Sequence, residues 1–148
     1  MFLESSSSSE RETLSTRLFP LATEKISAGF PSPAEDYMEP GIDLNKYLIN
    51  NPISTFFLRV SGNSMNNAGI YNNDLLIIDR SINPSPGDIV VALLDGEFTL
   101  KRLIKKENNY YLRADKENYP AIDLYEYIDI QIWGVAIYTI HKLQKLKR

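Results

Sequence analysis

The sequence contains no cysteine and only a single histidine, His141. The first absence excludes disulfides, a cysteine nucleophile and cysteine-ligated zinc, and it suits a reducing compartment. The second excludes a histidine metal cluster. No run approaches the roughly 18 apolar residues of a membrane helix. The start, "MFLESSSSSERE", places Glu4 and then serines where a secretory signal needs a basic start and an apolar block. An excess of positive charge is missing too. Lys and Arg number 16 against 19 Asp and Glu, a formal net charge of −3. That balance argues against a chain built mainly to bind nucleic acid through its phosphates. These absences lead to the expectation of a soluble cytoplasmic protein with no metal and no cofactor.

What is present is a chain of 148 residues, 43% of them hydrophobic, enough for one domain and an arm. Residues 1–33 read as a flexible N-terminal arm, and 34–148 as a compact domain. Ser5 to Ser9 form a homopolymer, and Pro20, Pro31, Pro33 and Pro40 interrupt any long helix. The apolar residues Leu14, Leu18, Phe19, Leu21, Ile26 and Phe30 are scattered, as in an extended, mobile segment. A helix-turn-helix needs two amphipathic helices and a tight turn, for which the arm has neither periodicity nor room. Direct sequence-specific DNA binding is therefore not expected.

"GIDLNKYLINNP", Gly41 to Pro52, reads as a short helix capped by Asp43 and stopped by Asn50, Asn51 and Pro52. From Thr55 the pattern turns to β. "TFFLRV", "DLLIID", "DIVVALLD", "EFTLKRLI", "YYLRA" and "IQIWGVAIYTIHKL" read as strands separated by turns. Asp95-Gly96 in "LDGE" is a two-residue hairpin signal. The fold class that follows is mainly β. The run Ile130 to Leu143 alternates poorly and is apolar on both faces. An exposed strand edge with Trp133, Val135 or Ile137 free for another surface would favour a homodimer. The alternative is a central strand covered on both sides.

Ser64 lies in "VSGNSMNNAGIYNNDLLIIDR", a polar, glycine-marked turn between two hydrophobic runs. A serine is a weak nucleophile until a base takes its proton. His141 is one candidate base. Lysine is another if burial lowers its pKa enough to make it neutral. In "GEFTLKRLI", a strand would point Thr99, Lys101 and Leu103 one way and Phe98, Leu100, Arg102 and Ile104 the other. One of the two adjacent cations then shares a face with the core or a cleft. An ordinary turn serine and an ordinary solvated Lys-Arg pair have the same appearance, so composition and spacing alone leave the dyad open.

Read in order, "SGNSM", "GIYNNDLLIIDR", "PGDIVVALLDGEFTLKRL" and "WGVAIYTIH" resemble the LexA/UmuD family of self-cleaving serine peptidases, and within it the UmuD-like branch. The resemblance spans roughly Ala34 to His141. It implies a LexA/UmuD-like β-rich catalytic domain with Ser64 as nucleophile and Lys101, 37 positions further on, as general base. The backbone amides of Ser64 and Met65 would stabilise the oxyanion. Self-cleavage in the family falls between a small residue and glycine, which in "ISAGFP" implies Ala28-Gly29.

The 28 residues ahead of that bond leave no room for the DNA-binding domain of a repressor, so the UmuD-like reading is the one expected here. Signal peptidases with Ser-Lys dyads need a membrane anchor, which is not seen. The resemblance further implies stimulation by RecA filaments on single-stranded DNA, a homodimer, and a partner that is the catalytic subunit of a Y-family, UmuC-like lesion-bypass polymerase. A non-catalytic binding module of the same fold, docking a polymerase, is the alternative.

Overall fold

The computed structural model describes residues 18–22, 25–29, 38–124 and 130–145. The chain forms two compact units, Met1–Asn50 and Asn51–Arg148.

In the first unit, strand β1 (Phe19–Ala22) pairs antiparallel with β2 (Met38–Ile42), and helix α1 (Leu44–Leu48) follows. The helix forms where expected. The Asp43 carboxylate accepts the N–H groups of Asn45 and Lys46 at 3.0 and 3.4 Å, and so satisfies two amides of the first turn. The pairing of β1, within the segment read as an extended arm, was not expected from the sequence. Its register shifts between Phe19 and Leu21, at Pro20, which has no amide to offer a ladder. A proline is tolerated in a strand at such an irregularity. The rest of the arm, residues 1–17, 23–24 and 30–33, lies outside the described residues, as do residues 34–37.

The second unit is one antiparallel sheet. Its strands are β3 (Thr55–Arg59), β4 (Leu75–Asp79), β5 (Ile89–Leu94), β6 (Glu97–Lys106), β7 (Asn109–Arg113), β8 (Ile122–Asp123) and β9 (Ile130–Ile140). Their order is β3-β4-β9-β5-β6-β7-β8. Each strand read from the sequence is present; β8, two residues long, is too short to show an alternation. Asp95 and Gly96 join β5 to β6 with φ of 48° and 84°. Both central residues of a type I′ turn need positive φ, which is why Asp-Gly occurs there.

One expectation is corrected. β9 is not an edge strand. It is hydrogen-bonded to β4 on one side and β5 on the other. Val135 is buried, and Trp133 and Ile137 are half-buried. The poor alternation has a physical cause. The register against β5 skips Trp133, pairing Val91 with Gly134 and Ala92 with Ile132. The register against β4 skips Ile137, pairing Ile77 with Tyr138 and Ile78 with Ala136. Each extra residue is a bulge that breaks the period of two.

Both faces of the sheet carry a core. On one, Met65, Ile70, Leu76, Ile78 and Val91 pack together, with Leu58, Leu100 and Trp133 against them. On the other, Val90, Ala92, Leu103, Leu112 and Val135 pack with Ile122 and Ile132. Val91 falls in the first cluster and its neighbours Val90 and Ala92 in the second, as strand alternation requires. Met65 and Ile70 belong to the loop between β3 and β4, so the first core ties down the segment that carries Ser64.

Candidate active site

The loop between β3 and β4 is closed at its neck. The Val60 N–H donates to the Asp74 carbonyl at 2.9 Å, and the Asn73 N–H donates to the Val60 carbonyl at 2.8 Å. Inside the neck, Gly62 turns the chain with φ +97°, a conformation that side chains other than glycine rarely adopt. Its N–H donates to the Asn72 side-chain oxygen at 2.8 Å. Three residues on, Met65 is 2% exposed and packs into the core. A 3₁₀ turn, Asn66–Ala68, continues the loop and ends at Gly69. Ser64 is thus held between a glycine turn and a buried methionine.

Ser64 lines a cleft of about 240 Å³. The cleft walls are the end of β3 and the turn after it, Leu76, Val91, and the segment Phe98 to Leu100 of β6. Among the described residues, no hydrogen bond uses the Ser64 hydroxyl or the amides of Ser64 and Met65. Those two amides therefore have donor capacity left for an oxyanion.

Lys101 lies on β6, opposite Val90 of β5. It shares a strand face with Leu103, which is buried in the second core, and it is itself half-buried. Its Nζ donates to the Thr99 hydroxyl at 3.1 Å and to the Leu100 carbonyl at 3.2 Å. Burial pulls its pKa below the ordinary lysine value, because removal of water disfavours the ammonium form. Lys101 does not line the cleft, but Thr99 and Leu100 do. The amine thus contacts the cleft wall, and among the described residues no hydrogen bond joins it to Ser64.

Ala28 and Gly29 belong to the other compact unit. Both are exposed, in a bend. A Cβ added to Gly29 would have nothing within 4 Å.

His141, the other candidate base, is engaged elsewhere. Its Nδ1 lies 2.5 Å from Oδ1 of Asp74, and its ring is 5.0 Å from that of Tyr71. Asp74 is 2% exposed. Burial pulls its pKa upward, but the Tyr71 N–H, His141 and the Thr139 hydroxyl outweigh this and hold it below the usual carboxylate value. His141 does not line the Ser64 cleft.

Two residues near the site carried no functional signal in the sequence. Arg102 grips Asp115 through Nε, at 3.0 and 2.8 Å to the two carboxylate oxygens, and through Nη2 at 2.5 Å. Asp115 also meets the Ser64 loop through its backbone. The signal that could have found them is the β6–β7 hairpin register, which pairs Arg102 with Arg113 and brings Asp115 close by. Among the described residues, no group of three or more His, Asp or Glu side chains is placed to hold a metal ion. Among the same residues, no helix is long and apolar enough to cross a membrane.

The class follows from comparison. Residues 20–137 match the family model described as Peptidase S24-like, and the chain belongs to that family. Among particular relatives, Protein ImpA of Salmonella typhimurium is 47% identical over 133 residues, 86% of this chain and 87% of ImpA. Protein MucA of Escherichia coli is 40% identical over 126 residues, 82% of this chain and 83% of MucA. The LexA repressor of Clostridium kluyveri is 42% identical over 97 residues, 66% of this chain and 48% of the repressor. The resemblance to the LexA/UmuD family read from the motifs is borne out.

Proposed function

We propose that this chain is a UmuD-like serine peptidase that cuts its own N-terminal arm, residues 1–33, between Ala28 and Gly29. The observation that carries the reading is the Ser64 cleft with a half-buried, pKa-depressed Lys101 amine bonded to its wall. In the reaction, the neutral Lys101 amine swings from Thr99 to take the Ser64 proton, and Oγ attacks the Ala28 carbonyl carbon. The oxyanion is met by the amides of Ser64 and Met65. The Ala28–Gly29 bond breaks, and the Gly29 nitrogen leaves with the proton held by Lys101. Water then gives a proton to Lys101 and attacks the Ala28 ester. Ser64 regains its proton, and the fragment 1–28 leaves with a new carboxylate. No metal or cofactor enters these steps.

The relatives and the resemblance support a wider setting. The protein acts in the SOS response to DNA damage in the cytoplasm. RecA filaments on single-stranded DNA speed a slow intrinsic reaction. The shortened chain, as a homodimer, serves a UmuC-like Y-family polymerase in error-prone translesion synthesis.

The test is the intact mass of the purified chain before and after incubation, with and without RecA filaments on single-stranded DNA. The wild type is expected to lose residues 1–28, faster with filaments, and Ser64→Ala to stay whole while folded. Processing of Ser64→Ala at the wild-type rate would exclude Ser64 as the nucleophile.

One observation favours a second reading, a non-catalytic module that docks a polymerase. The Lys101 amine is bonded to Thr99 and Leu100 rather than to Ser64. Alkaline incubation without filaments separates the two. A Ser-Lys peptidase cuts faster as the lysine loses its proton, and an inert module stays whole.

A further inference from the structure

Asp115 touches both halves of the site at once. Its backbone holds the turn that carries Ser64. The Asn67 N–H donates to the Asp115 carbonyl at 2.9 Å, and the Asp115 N–H donates to Sδ of Met65 at 3.3 Å. Its side chain holds the strand that carries Lys101, through the forked Arg102 pairing described above. Arg102 in turn donates from Nη1 to the Gly87 carbonyl at 2.6 Å, which fixes the fork from its other end. Met65 and Arg102 are the immediate neighbours of Ser64 and Lys101 in the chain.

We infer that the Arg102–Asp115 pair is a positioning clamp that sets the Ser64 turn against the Lys101 strand. The inference rests on the reading of Ser64 and Lys101 as the reacting pair. An isolated surface ion pair would not have this consequence, because such pairs are worth little and fix little. Here the pairing is bidentate, the Asp115 side chain is 11% exposed, and the same residue is bonded to the turn through its backbone. A guanidinium fork against a carboxylate restricts direction as well as distance. Misplacement of a nucleophile by about 1 Å lowers a rate on the order of 100-fold.

The clamp acts on geometry and not on the lysine's titration, whose depression comes from burial. Its loss therefore has a defined signature. Asp115→Ala should slow self-cleavage about 10- to 100-fold at every pH, at temperatures where the variant is fully folded, and leave the pH midpoint of the rate unchanged. Arg102→Lys, which keeps the charge and loses the fork, should fall between. Met65→Leu, which keeps the apolar volume and removes the sulfur acceptor, should also slow cleavage. In the uncut Ser64→Ala background, Asp115→Ala should speed amide hydrogen exchange at Asn67 and leave the amides of β9 unchanged.

A wild-type chain that never cuts itself would overturn the dyad reading, and the clamp's role with it. A wild type that cuts, beside a folded Asp115→Ala variant that cuts at the same rate, would overturn the clamp alone. So would a rate deficit that vanishes on cooling in step with thermal stability, since that marks a merely structural residue. Unchanged exchange at Asn67 would have the same force.

Discussion

The Lys101 amine donates to the Thr99 hydroxyl at 3.1 Å, on one face of β6 and at the wall of the cleft that Ser64 lines. Thr99 parks the amine, and burial makes its proton easier to lose than an exposed lysine's. Self-cleavage should therefore rise with pH and level off below the pH at which a free lysine titrates. Lys101→Arg should stop cleavage, because the guanidinium keeps its proton at any usable pH. Rates of arm loss measured by intact mass across neutral to alkaline pH check both. An active Arg variant, or a flat pH profile, would sink the lysine base.

The bond between Ala28 and Gly29 is expected to be the one cut. Its residues are exposed, and glycine after the bond lets the peptide come close to a nucleophile. Gly29→Val should slow cutting at least 10-fold, because the branched Cβ crowds the approach and restricts the backbone. In the free chain the added Cβ meets nothing, so the effect should fall on the reaction and not on the fold. N-terminal sequencing of the product should begin at Gly29. A product beginning elsewhere would refute the bond and leave the dyad standing.

A homodimer is expected both before and after cleavage. The basis is no longer a free edge on β9, since that strand is central. One of the sheet's two outer strands is β3, where Phe56 and Phe57 are 42% and 53% exposed. Such side chains on an outer strand favour association with an identical chain. Sedimentation at micromolar concentration should give a dimer for the full-length and the shortened chain. A monomer for both would overturn the expectation.

Part of this fold and of the candidate site is legible in the residues themselves. Strands β3 to β7 were legible because each is a short run rich in β-branched, aromatic or other apolar residues set between turn residues, and Asp95-Gly96 marks a tight turn. The same-side placement of Thr99 and Lys101 followed from a period of two, and it proved to be a hydrogen bond. The position of β9 was not legible, because extra residues at Trp133 and Ile137 scramble the period on which such a reading depends. β1 was missed because Pro20 argues against a strand until a register shift absorbs it. The hold of Asp115 on the Ser64 turn was out of reach for another reason. The bond from Asp115 to Met65 spans 50 positions, and no local pattern encodes a contact at that separation.

Asp79 supports the last prediction, which concerns stability and not the reaction. It is 1% exposed. It accepts from the Asn51 amide and the Ser54 hydroxyl at 2.8 Å each, and from the Ser81 N–H and hydroxyl at 2.8 and 2.7 Å. The Asn51 bond foremost, with Ser81 and Ser54, holds its pKa far below the usual carboxylate value against the upward pull of burial. A carboxyl whose folded pKa is depressed stabilises the fold above its unfolded pKa, about 3.9, and loses that contribution as pH falls toward the folded value. Asp79→Asn sets a donor against the Asn51 amide and should cost about 1–3 kcal/mol at neutral pH. Urea midpoints in the uncut Ser64→Ala background measure it. The gap between the two chains should narrow as pH is lowered below about 4, where the wild-type carboxylate begins to lose its advantage. A gap that stays constant from neutral pH into that range would show that the Asp79 charge does not contribute in this way.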